Sequence, residues 1–230
     1  MTDKRPDIRS GHRKRTRVLL VTVPALLLTG GLLLAVGVGR QQQAPPGVAV
    51  QDPATRSAPP PGPSPGPVTR ERVGQVPELP PSEPVRISVP SLKISSSLED
   101  LRLDTKRAMQ TPTDPDRAGW YRPGPAPGSE GPAVIAGHVT WNGKPAVFFE
   151  LATLRAGDRI AVERQDGRTA EFTVDKVAQY PKNRFPTVEV YRNLDHARLR
   201  LITCGGDYTA ESNHYADNIV VFATLTGSHR

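Results

Sequence analysis

The stretch LRLITCGGDY, Leu199 to Tyr208, alternates large apolar and other side chains until a cysteine followed by two glycines interrupts it. A period of two is the mark of a half-buried β-strand, whose successive side chains point to opposite faces. Cys204 is the only cysteine in 230 residues, and it closes the strand instead of lying in its middle. A free cysteine is most often a small buried hydrophobe. Here Gly205 and Gly206 argue against that role, because glycine in this position leaves room for a backbone or a substrate to come close.

Outward from this strand, other segments carry the same pattern. VRISVP (85–90) alternates, PAVIAG (132–137) is a short apolar run ending in glycine, and NIVVFATL (218–225) is apolar and β-branched. RIAVER and TAEFTVDKV flank Asp166-Gly167, a hairpin signal. PAVFFELATL (145–154) reads as one or two short helical turns. No heptads, internal repeats or long amphipathic helices occur. The fold class is mostly β, and the spacing fits a closed barrel of seven or eight strands or, on pattern alone, a β-sandwich.

Upstream the chain changes character twice. Residues 1–17 hold seven Lys/Arg against Asp3 and Asp7, a net of +5. The whole-chain charge of +7 therefore leaves only +2 for the remainder, too little for a phosphate-binding face, so no nucleic acid is expected. Residues 18–39, VLLVTVPALLLTGGLLLAVGVG, carry no charge. At ~1.5 Å per residue they make a helix of about 33 Å, enough to cross a bilayer core. The basic flank places the N-terminus in the cytoplasm. A cleaved secretory signal is the alternative, and both readings export the rest. Residues 40–84 follow as a linker, with thirteen of the 25 prolines between Gln41 and Pro84. Such a chain cannot offset its ordering entropy and extends toward polyproline II. The globular domain spans 85–226, with 227–230 as a short tail.

An exported thiol with no second cysteine cannot pair within its own chain. To act as a nucleophile it needs a proton acceptor or a positive neighbour. His138, in VIAGHVTWNG at the end of another expected strand, is the leading partner. His196 and His214 read as solvated loop residues, and His12 and His229 lie near the termini. No close cluster with metal-ligand spacing is present, and no nucleotide or serine-hydrolase motif, so no metal or cofactor is expected. A papain-like order, Cys before His, does not fit, since His138 precedes Cys204. A different class of reading is an anchored extracellular β-domain that binds wall polymer or a partner without catalysis.

At GPAVIAGHV, PAVFFELATLRAGDRI, FPTVEVY, LITCGG and YADNIVVFA, in that family's order along the chain, the sequence resembles a sortase, specifically the actinobacterial class F type. The likeness runs from about Val85 to Thr226. It implies an eight-stranded sortase-type β-barrel with short helices and a cysteine transpeptidase of the cell wall. Such an enzyme cleaves an LPXTG-like sorting motif through a thioacyl intermediate and transfers the product to an amine nucleophile. Its partners are then the sorting signals of secreted proteins, an amine acceptor of the cell wall, and the membrane through residues 18–39. The implied location is the cell membrane, single-pass, with the catalytic domain outside.

The resemblance also implies roles. Cys204 is the nucleophile and His138 the acid and base, and Thr203 matches the family's Thr-Cys pair. Many sortases carry Thr-Leu-x-Thr-Cys, where this chain has Arg200 at the first position. The family's oxyanion-holding arginine is missing from ESNHYADNIVV, with Asn218 near the matching position. Arg184, Arg198 and Arg200 are the remaining candidates for oxyanion or substrate contact. The Pro/Gly-rich segment 110–132 is expected to bridge two strands rather than to wall the cleft.

Overall fold

The computed structural model describes residues 44–48, 76–192, 194–212 and 214–230. The basic tail, the apolar span and most of the Pro-rich stretch lie outside the described residues.

Eight strands close into a barrel: β1 (Pro84–Val89), β2 (Ile94–Leu101), β3 (Ala118–Tyr121), β4 (Gly131–Ala136), β7 (Arg159–Arg164), β8 (Thr169–Pro181), β9 (Ala197–Thr209) and β10 (His214–His229). Their order around the barrel is β1-β2-β3-β4-β9-β10-β8-β7. A separate two-stranded ribbon pairs β5 (Thr140–Trp141) with β6 (Lys144–Pro145). The barrel, not the sandwich, is the architecture, and closure removes the exposed edges that a sandwich would leave. The hairpin at Asp166-Gly167 joins β7 to β8, with Gly167 at φ 76° in the left-handed region a tight turn requires. PAVFFELATL holds a single 3₁₀ turn, Leu151–Thr153.

Two strands have no alternating signature. β2 reads ISSSLEDL, and its buried serine is satisfied internally: Ser96 Oγ accepts from Ala118 N at 2.9 Å and donates to Ser97 O at 2.7 Å. β3 is four residues long, AGWY, inside the Pro/Gly-rich segment. It pairs in parallel with β2 and antiparallel with β4.

The barrel interior is filled by Ile87, Ile135, Phe148, Ile160, Phe172, Leu199, Leu201 and Val221, all essentially inaccessible to solvent. A second cluster of Val134, Val190, Ile202, Val220 and Phe222 covers the outer face of β4, β9 and β10. It is roofed by the short helix α1 (Thr187–Tyr191) and by Tyr180 and Phe185. The alternation of β9 therefore serves two packed faces, which is why so much of it is apolar.

The chain is also ordered ahead of β1. Leu79 is buried and donates its N–H to Gly128 O at 2.8 Å. Arg164, whose side chain is fully buried, donates to Pro127 O at 2.7 Å, to Pro80 O, and to Asp166 at 3.0 Å. Residues 76–83, within the stretch expected as linker, thus form a strap on the barrel. Proline limits its unfolded freedom, and one buried guanidinium satisfies carbonyls on both sides of it.

Candidate active site

Strands β4 and β9 run parallel, pairing Gly131 with Ala197 through to Ala136 with Ile202. Each pair is separated by the same 66 residues (202 − 136), and so are His138 and Cys204 (204 − 138). His138 and Cys204 keep the same offset two residues beyond the last pair of this ladder. By alternation Cys204 follows Ile202 onto the outer face of β9, where, contrary to the expectation that it closes the strand, it is the eighth of thirteen residues, while His138 lies two residues beyond the end of β4. Gly137 N donates to Ile202 O at 3.1 Å, and Thr203 Oγ1 donates to Gly137 O at 2.8 Å. These two bonds tie the residue before His138 to the residues before Cys204. Both candidates are half-buried, open enough to meet a substrate.

His138 is fixed on several sides. Its carbonyl accepts from Phe148 N at 3.0 Å, and its ring lies against Trp141 with centroids 4.8 Å apart. Its Nε2 is 2.9 Å from Pro112 O. A carbonyl only accepts, so Nε2 carries the hydrogen and Nδ1 is left as the nitrogen that can take a proton. Pro112 is held in turn by the neighbouring Glu99 carboxylate, which accepts from Thr113 N and Oγ1 at 2.9 Å each and from Asp114 N at 3.2 Å. Burial alone would raise the Glu99 pKa. The Thr113 and Asp114 hydrogen bonds and the nearby Arg117 charge together outweigh it and hold the carboxyl below its usual range. Segment 110–132 therefore does more than bridge strands: its first residues form a wall beside the imidazole.

The two glycines after Cys204 serve the chain itself rather than leaving a vacancy for substrate. A Cβ on Gly205 would lie 2.6 Å from Ile219 Cγ1. Gly206, at φ 74°, sits in a bulge where the ladder jumps from Tyr215–Tyr208 to Asp217–Gly205 and packs against the Asp217 carboxylate. Such a bulge interrupts the pairing, which resumes at Tyr208 and Thr209, and bends the strand just beyond the thiol.

The other candidates separate into two groups. Thr203 is buried in the site, and Asn218 is directly across from Cys204 in the β9–β10 ladder. Arg198 and Arg200 lie on the same face of β9, about 20 Å and about 13 Å back along the strand. Arg198 is paired with Asp175 at 3.2 Å. Arg200 is buried, stacks its guanidinium 4.5 Å from the Phe222 ring centroid and donates to Leu199 O at 3.1 Å. Burial, with help from Arg198, lowers its pKa to about 10, so it remains a cation at neutral pH. Arg184 is exposed in the turn Lys182–Arg184.

The same turn supplies a residue that pattern reading passed over. Lys182 Nζ is 3.5 Å from Cys204 Sγ. Nothing in YPKNRFP marks this lysine, because it reaches the thiol across an intervening strand.

The sequence matches the sortase domain family model over residues 87–226. No curated protein matches the chain. Similar solved structures include sortase A from Listeria monocytogenes, 20% identical, covering 65% of this chain and 90% of that one, with a TM-score of 0.46. Sortase A from Corynebacterium diphtheriae is 20% identical, covering 64% of this chain and 61% of that one, with a TM-score of 0.49. Sortase C from Streptococcus pneumoniae is 17% identical, covering 63% and 67%, with a TM-score of 0.47.

Proposed function

The chain belongs to the sortase family of cysteine transpeptidases, and from that premise we propose that Cys204 and His138 are its nucleophile and its acid–base pair, acting on an LPXTG-like sorting signal. The Cys204 thiol gives its proton to His138, and the sulfur attacks the threonyl carbonyl. Collapse of the tetrahedral adduct breaks the Thr–Gly bond as the imidazolium protonates the departing amine. An incoming amine then loses a proton to the imidazole, attacks the thioacyl carbon and releases the thiol. The observation that supports this reading is the 66-residue offset of the β4–β9 ladder, which His138 and Cys204 share just beyond its last pair, where Thr203 bonds to Gly137.

The finer assignment is to class F, supported by the LITCGG, GPAVIAGHV and YADNIVVFA blocks. The basic 1–17 segment and the uncharged 18–39 segment support a single-pass anchor with the barrel outside the cell, joined through the Pro-rich stretch to residues 85–226. The acceptor is then an amine of the cell wall. The test is intact-protein mass spectrometry of the chain mixed with a Leu-Pro-x-Thr-Gly peptide library. A thioacyl adduct on Cys204, absent from Cys204→Ala and strongly reduced in His138→Ala, is the expected result. Release of the Gly-containing fragment by Cys204→Ala would refute the chemistry.

A further inference from the structure

The strand that should carry a cation beside the thiol carries none. Asn218 is level with Cys204 on β10, and its amide is uncharged. On the other side of β10, Tyr180 of β8 is level with Asn218, and Pro181 with Asp217. The chain leaves β8 at Pro181 and turns through Lys182–Arg184. Lys182, the first residue of that turn, reaches back over β10 and brings Nζ to 3.5 Å from the sulfur. Asn218 lies between the two strands that this contact joins, and an arginine there would set a second positive charge against Lys182.

Other cations near the outer face are engaged elsewhere: Lys176 with Glu189 at 2.7 Å, Arg198 with Asp175 and Arg200 over Phe222. Lys182 is exposed and, among the described residues, forms no ion pair. Its polar contact is the nucleophile.

We propose, on the reading of Cys204 as the nucleophile, that Lys182 is a catalytic residue: its ammonium group is the cation of this site, delivered from the β8 turn in place of an arginine on β10. An ammonium has donors and no acceptor, so it donates to the sulfur and attracts the negative charge that develops there during attack. As the S–C bond forms, negative charge passes from sulfur to the adjacent carbonyl oxygen, one bond further on. The long, flexible lysine stem lets the same group follow that charge. Lys182 keeps its proton throughout. The thiol proton travels through His138 to the leaving amine, so the ammonium is neither consumed nor regenerated.

The test exploits the single thiol. Alkylation of the full chain by iodoacetamide, a neutral reagent, reads Cys204 reactivity without any peptide substrate. Lys182→Met should slow it about tenfold, the size expected for losing a unit charge at this range, and Lys182→Arg should recover most of the rate. Raising salt from about 0.05 to about 0.5 M should slow the wild type and leave Lys182→Met unchanged. With a sorting peptide, Lys182→Met should slow thioacyl formation roughly 10²–10³-fold, as for loss of an oxyanion donor. Alkylation of Lys182→Met at the wild-type rate would overturn the proposal. So would an acyl group found on Lys182 itself, which would make the amine an internal acceptor. If the wild type cleaves no peptide while the alkylation series behaves as stated, the transpeptidase reading fails and the Lys182–Cys204 pairing stands.

Discussion

Thr203 donates its hydroxyl hydrogen to the Gly137 carbonyl at 2.8 Å, so the residue before the thiol holds the residue before the imidazole. The two strands have stopped pairing at this level, and one side chain replaces the missing ladder bond. Thr203→Val keeps the shape and removes the donor, leaving a part-buried carbonyl unpaired at a cost of about 1–3 kcal/mol. We expect a melting temperature lower by several degrees and a fall in thioacyl formation of up to about 10²-fold, since small misplacements at a reacting centre cost that much. Thr203→Ser should keep both. Stopped-flow acylation with thermal unfolding would check this, and wild-type acylation by Thr203→Val would discount the tie.

Glu99 acts one step further out, through the 112–114 wall. Its folded pKa is below the ordinary carboxylate value. The stabilisation it contributes is therefore complete above about pH 4.3 and is lost as pH falls through the lowered folded value. Near neutral pH, the wall is held. Glu99→Gln removes that hold at every pH, because an amide cannot accept all three bonds. Hydrogen exchange at the Thr113 and Asp114 amides should quicken by roughly tenfold or more. Unchanged protection would mean that other contacts fix the wall.

Gly137 is required for space. A Cβ there would lie 2.7 Å from Phe148 Cδ2 and 2.8 Å from Val147 Cγ1, and Phe148 is wholly buried. Gly137→Ala should destabilise the barrel by about 1–3 kcal/mol and shift the His138 backbone. Adding Phe148→Leu should return part of the lost stability in chemical denaturation. A double variant no better than the sum of its parts would show that the clash is relieved elsewhere.

Arg164 makes its own prediction. Arg164→Met fills the volume but leaves the Pro80 and Pro127 carbonyls without their donor. The strap should loosen while the barrel persists, seen as new protease cuts within residues 76–83 and little change in peptide turnover. Resistance equal to wild type would place the strap's hold in Leu79 alone.

Much of this was legible in the sequence because the pattern had a single cause. β1, β4, β7, β8, β9 and β10 alternate or run apolar, since each presents a side to the interior. β2 escaped notice because Ser96 is buried polar and pairs with backbone, which defeats a hydrophobicity pattern. β3 is short and embedded among prolines and glycines. Cys204 and His138 stood out by residue type and by the glycines beside them, but Cys204 does not close its strand, because β9 resumes pairing past Gly206 and runs to Thr209. Lys182 did not, because its contact depends on three strands lying side by side, and strand order is not written in local periodicity. The role of Pro112 was equally hidden: it acts through its carbonyl, which every residue has.

The strap has a mechanical consequence. Leu79 docks on Gly128, just ahead of the N-terminal end of β4, while His138 follows the C-terminal end, roughly 20 Å away. The strap is thus fastened at the pole of the barrel remote from the sulfur. A pull at residue 76 is taken first by Leu79 and next by the Pro80–Arg164 contact, so the load stays at that pole and does not reach the strand positions beside the sulfur.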